Sequence, residues 1–257
     1  MGQRFDRKLL FLVSASKIPA DLGDFITICH KYRNELYHAG LRHDNIILDL
    51  AWHYHDAAIS IFEKVKPYDV WSSADKVSRA VARHAGKNGI AVIRDIASIA
   101  NSLRANRPRR RRALAEALSC SAVRRVDELI EEFEFVVQNA PSERTAEKTL
   151  YELQFFAYLY SDDSVAKTVW GKVKTIRQRQ AALAFLKESW EPKYKVNPLP
   201  KFRAQAERIT QPKTDVLALK AFERFKNDIA YLGHIVDEAA TGVAGYIQNQ
   251  IDQALGK

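Results

Sequence analysis

Apolar residues return at helical spacing along nearly the whole chain, and no stretch keeps strand alternation for long. Chain breakers are scarce. With 10 glycines and 8 prolines among 257 residues, long helices are favoured over many short strands. The pattern predicts an all-α protein. A chain of this length can bury a real core, as one large or two small domains. At 47% hydrophobic and 28% charged residues, its composition is that of an ordinary soluble globular protein.

The spacing predicts a first helix over 4–14. It contains the apolar run 8–13, which is far too short to cross a bilayer and is followed soon by Asp21 and Asp24. The run therefore reads as core helix rather than signal peptide. Pro19 and Asp21 announce a second helix, with Asp21 as N-cap and Gly40 at C′. A third runs from after Asp44 to before Pro67, with Ile46, Ile47, Leu50, Tyr54, Ala57, Ile61 and Val65 as its apolar stripe. Shorter helices are expected near 73–85 and 90–103, parted by a turn between Gly86 and Gly89.

Composition then shifts. Residues 104–112 hold six arginines in nine positions around Pro108, which suits a linker or the basic start of a long helix to Gln138. Ser142 is expected to cap a helix to Tyr160, and 161–164 to turn and cap another over 165–190. Residues 191–200, with three prolines in ten positions, read as a loop. The rest is helical, with a break at Gln211 and Pro212. The shift implies a boundary near 104–108, between a helical domain over 1–104 and a helical C-terminal region over 105–257 with a basic entry segment.

The formal net charge is +9 and the sequence pI about 9.5, a balance that suits a polyanionic partner. Cys29 and Cys120 form no C-x-x-C pair, which fits a reduced, cytoplasmic setting. No zinc pattern is present: His53 and His55 are two apart, so they point to different faces of a helix. No metal, cofactor or membrane association is expected.

The stretch KYRNELYHAG, residues 31–40, gathers polar chemistry. At about 100° per residue, Phe25, Ile28, Cys29, Tyr32 and Leu36 share one core-facing arc. Thr27, His30, Arg33, Asn34, Tyr37 and His38 occupy the other side. Asn34 and His38 are neighbours one turn apart. Arg33 stands roughly 140° from His38, so either its long side chain curves to the same patch or a second subunit completes it. Cleaving RNA without a metal takes a base for the ribose 2′-OH and a cation for the phosphate. Histidine titrates near neutrality, arginine grips a phosphate bidentately, and asparagine orients either partner.

R-N-E-L-Y-H, from Arg33 to His38, resembles the R-x4–6-H signature of the HEPN superfamily, in which a polar residue, often asparagine, follows the arginine. The resemblance covers 20–66. It implies an all-helical HEPN-like bundle, here with an additional C-terminal helical region. It also implies a metal-independent endoribonuclease with Arg33 and His38 catalytic and Asn34 supporting. The expected products carry a 2′,3′-cyclic phosphate and a 5′-hydroxyl. Family members are commonly homodimers whose two motifs face each other in one composite site. They occur in toxin–antitoxin, abortive-infection and CRISPR-associated systems, so an antitoxin or regulatory protein is an expected partner beside RNA. Minimal members place more helices ahead of the motif than the one found here; downstream helices would have to supply that half of the bundle.

The spacing recurs at Arg79 and His84, but Ala80 follows that arginine, and the second copy reads as accidental. Arg107, Arg109, Arg110, Arg111 and Arg112 are candidate phosphate contacts, joined by Arg42 near the motif. Lys193, Lys195, Lys201, Arg203, Arg208 and Lys213 extend the same basic character, with Tyr194 and Phe202 either stacking on bases or packing. Residues 114–130 read as a continuous helix rather than a helix-turn-helix. The alternatives to the nuclease are a non-catalytic nucleic-acid-binding or regulatory helical protein and a protein-interaction scaffold.

Overall fold

The computed structural model describes residues 2–39, 44–65, 96–105, 113–139 and 145–255, with the side chains of 2–4, 34–39, 44–45, 65 and 96–99 excepted. Among these residues there are ten α-helices and no strand, as the periodicity predicts. They are α1 (Gly2–Ser14), α2 (Ala20–Ala39), α3 (Asp44–Val65), α4 (Ile96–Ala105) and α5 (Leu114–Gln138). There follow α6 (Ala146–Leu159), α7 (Ser164–Trp170), α8 (Ile176–Ser189), α9 (Leu199–Glu207) and α10 (Asp215–Ala254), with a 3₁₀ turn at Arg208–Thr210. The helices form two units, Met1–Ser121 with Ile209–Ala221 and Ala122–Arg208 with Phe222–Lys257.

In the first unit, α1 packs on α2, α2 on α3 and α3 on α4. The turn after α1 is tight: the Lys17 and Ile18 amides donate back to the Leu12 carbonyl, and Ser16 takes a left-handed φ of 55°. Ile18 is buried just beyond and anchors the turn. Gly23 lets α1 approach α2, since a Cβ there would stand 2.5 Å from Val13 Cγ2. Phe25, Ile26, Ile28, Cys29 and Tyr32 of α2 are buried, with Ile46, Leu50, Ala57 and Ile59 of α3 and Ala100 of α4. Each large side chain so buried contributes about 1.5–3 kcal/mol. Two ion pairs, Arg104 with Glu63 through both carboxylate oxygens and Lys220 with Asp24, and a contact between His53 and Asp215 fasten this unit.

In the second unit, α6 packs on α7 and α7 on α8. Phe155, Leu159 and Leu186 are buried beneath Tyr151, Tyr158, Leu183 and Trp190. Gln154 is fully buried, yet it is satisfied. Its Nε2 donates to the carbonyls of Tyr194 (3.0 Å) and Leu150 (3.2 Å), and its Oε1 accepts from the Tyr194 amide (2.8 Å). The proline-rich loop after α8 is thereby tied to α6.

Several local expectations change. The second helix begins at Ala20, one residue before the expected cap, with the Gly23 amide donating to the Pro19 carbonyl. Asp21 sits in the first turn instead, where a carboxylate suits the helix dipole. Thr145 rather than Ser142 caps α6, accepting from the Lys148 amide; Ser142 lies outside the described residues. The single helix expected over 165–190 is two. Asp163 caps α7, which stops at Gly171, and α8 opens with a capping box between Thr175 and Gln178. The helix expected near 73–85 lies outside the described residues, as do Arg79 and His84.

Candidate functional site

The motif helix α2 is continuous from Ala20 to Ala39, so Asn34 and His38 are held one turn apart on one rod. Its apolar arc is turned into the first unit as the spacing requires, with Tyr32 only 2% exposed. Arg33, the next residue, is exposed. It borders a cavity of about 210 Å³ between α2 and α3, floored by Cys29, Ile46 and Leu50 and edged by His30 and Tyr54. The side chains of Asn34 and His38 lie outside the described residues. So do Arg42, Arg107, Arg109, Arg110, Arg111 and Arg112.

The groups at this cavity differ in what they can do. Burial pushes the Cys29 thiol up to about 12, so it is neutral at physiological pH and no nucleophile. His30 stacks on Phe5 of α1, with ring centroids 4.4 Å apart, and its Nε2 is buried with no hydrogen-bond partner among the described residues. Tyr54, expected in the buried stripe of α3, is 41% exposed and stands at the rim. The lining is thus an apolar floor with an arginine and a tyrosine at its edge.

The two described histidines of α3 contact neighbouring side chains. His53 Nδ1 lies 2.9 Å from Asp215 Oδ2 at the first residue of α10. The sequence carries no sign of this pair, because it forms only when the chain returns to α3 from far downstream. His55 stands edge-on to Trp52, with centroids 5.7 Å apart. Among the described residues no three of His, Cys, Asp and Glu converge as a metal-holding group.

Half of the cations named in the basic stretch from Lys193 to Lys213 have a partner within the protein. Arg203 pairs with Asp127 and Glu207, and Lys195 with Glu191. Phe202 is buried, and half-buried Tyr194 packs edge-on against it at 6.1 Å, so Phe202 is core and offers no face to a base. Lys193 sits over the rings of Tyr194 and Tyr231. Arg104, first of the arginine run, is held by Glu63.

No described helix is long and apolar enough to cross a membrane. No known protein family, curated protein or solved structure matches the chain.

Proposed function

We propose that the chain is a HEPN-like endoribonuclease that cleaves RNA without a metal ion, with Arg33, Asn34 and His38 as its working residues. The observation that supports this most is the division of α2. Tyr32 is buried while Arg33 beside it is exposed at the mouth of a cavity. An arginine so placed can be reached from solvent.

In this scheme His38 takes the proton of the ribose 2′-OH, and the 2′-oxygen attacks the adjacent phosphorus. The bond from phosphorus to the 5′-oxygen breaks, and the leaving oxygen receives a proton. The guanidinium of Arg33 holds the non-bridging oxygens and offsets the charge that gathers on them. Asn34, one turn from His38, orients the imidazole or the phosphate. The products are a 2′,3′-cyclic phosphate and a 5′-hydroxyl. A homodimer would bring two motifs into one composite site. A cytoplasmic toxin or antiviral defence role, restrained by an antitoxin or regulatory protein, follows from the family resemblance.

Purified wild type and His38→Ala, each incubated with RNA in EDTA, test the scheme. Cleavage by wild type alone is the expected result. Equal cleavage by both proteins, or none by either across varied RNAs, overturns it; the second outcome favours a non-catalytic binder.

A further inference from the structure

The second unit carries a cationic surface that the proposed site does not use. Between Ser164 and Lys187 lie Lys167, Lys172, Lys174, Arg177, Arg179 and Lys187, with no aspartate or glutamate among them. All six are exposed. Lys167 meets Asp162 at 3.0 Å, but among the described residues Lys172, Lys174 and Arg177 have no carboxylate at ion-pair distance. Arg124 with Glu128 and Arg203 with Glu207 are cations of this chain balanced one turn away; these three are not. Arg177 even sits in the first turn of α8, the end where the helix dipole disfavours a cation. A solvated face would gain from a carboxylate at such a place, whereas a surface that receives an anion would not.

Aromatic rings stand beside Arg179, one of these charges. Tyr160 is 71% exposed and edge-on to Trp170 at 6.5 Å. The Arg179 guanidinium lies over the Trp170 ring, 5.4 Å from its centroid. Exposed cations interleaved with accessible rings match a single-stranded nucleic acid, which presents phosphates and unstacked bases together. A lipid surface fits less well. The apolar face of α8 is already turned inward through Ala182 and Leu186. Its two exposed large apolar side chains, Ile176 and Phe185, stand roughly 180° apart and form no face to lie on a bilayer.

We infer that α7, α8 and the turn between them form a binding surface for single-stranded RNA, with Lys172, Lys174 and Arg177 on phosphates and Tyr160 stacking on an unpaired base. The choice of RNA as the polyanion rests on the nuclease proposal; the surface itself does not.

Anisotropy of labelled single-stranded RNA, titrated with the full chain carrying His38→Ala, reads binding without cleavage. Adding Lys172→Ala, Lys174→Ala and Arg177→Ala together is expected to weaken binding at least tenfold at about 100 mM salt. It should also flatten the log–log salt slope by about 2, because three phosphate contacts are lost. Tyr160→Ala should weaken single-stranded RNA about tenfold and leave duplex RNA unchanged. All four side chains are exposed, so thermal melts should match the parent. Unchanged affinity and slope in the triple variant would overturn the inference. Loss of binding to phosphatidylserine vesicles with RNA binding intact would overturn it too. Patch-dependent binding by a protein that never cleaves RNA supports the surface and removes the nuclease. Cleavage that needs His38 but ignores the triple variant does the reverse.

Discussion

Gln154→Leu isolates the clip that holds the proline-rich loop. Leucine fills nearly the same volume, so little cavity is expected. The variant removes three hydrogen bonds at once: the donations to the Tyr194 and Leu150 carbonyls and the acceptance from the Tyr194 amide. The Leu150 carbonyl is inside a helix, so its loss matters least. The two Tyr194 groups lose a partner on a half-buried loop, at about 1–2 kcal/mol each, the lower part of the range for orphaned buried groups. The expected destabilisation is therefore about 2–4 kcal/mol, a large share of a domain stability of about 5–15 kcal/mol. Urea unfolding measures the total, and hydrogen exchange at the Tyr194 amide measures the local opening. The midpoint should fall with m unchanged, and the Tyr194 amide should lose its protection. A variant within about 0.5 kcal/mol of wild type, the range of ordinary surface changes, with Tyr194 still protected, would refute the reasoning.

The close approach at Gly23 predicts that Gly23→Ala costs about 1–3 kcal/mol, because Val13 is stiff at χ1 and cannot turn away. Adding Val13→Ala should recover part of that loss, and additive effects in the double-mutant cycle would contradict the contact. Burial and the neighbouring Asp237 carboxyl raise Glu132 from an ordinary 4.5 to about 7. A raised carboxyl contributes stability that is whole below pH 4.5 and lost as pH rises through about 7. The second unit should therefore weaken by ~1 kcal/mol across that window, solvent screening included, and Glu132→Gln should abolish the trend. Melting temperatures at pH 5 and pH 8 check it; an identical pH trend in the variant would contradict it. Iodoacetamide at pH 8 should alkylate exposed Cys120 and spare buried Cys29, whose thiol stays protonated; mass spectrometry of the native protein reads the difference.

The helices were legible where one face meets one neighbour. Phe25, Ile28, Cys29 and Tyr32 repeat at helical spacing and are buried together. Ile26 lies off that arc and is buried as well, because α2 is packed by α1 on one side and α3 on the other. A single-face reading cannot anticipate the wider stripe. The break between α7 and α8 was written in the sequence, as Gly171 and the Thr175–Gln178 capping box, but the apolar period runs through it and masks the stop. Phe202 looked available to a base because its neighbours are basic, yet α9 turns it inward. The pairing of His53 with Asp215 had no local signal at all. The motif was legible as Arg33, Asn34 and His38 on one helix, and the exposure of Arg33 followed from Tyr32 belonging to the core stripe. The cavity beside it was not, since its walls come from two helices whose facing residues only tertiary packing brings together.

The chemistry of the cut ends tests the central claim most directly. RNA digested by wild type in EDTA, then analysed by mass spectrometry, should carry 2′,3′-cyclic phosphates and 5′-hydroxyls, and Arg33→Ala and His38→Ala should leave it intact. Fragments ending in 3′-hydroxyls and 5′-phosphates, or cyclic ends produced equally by the two variants, would contradict it.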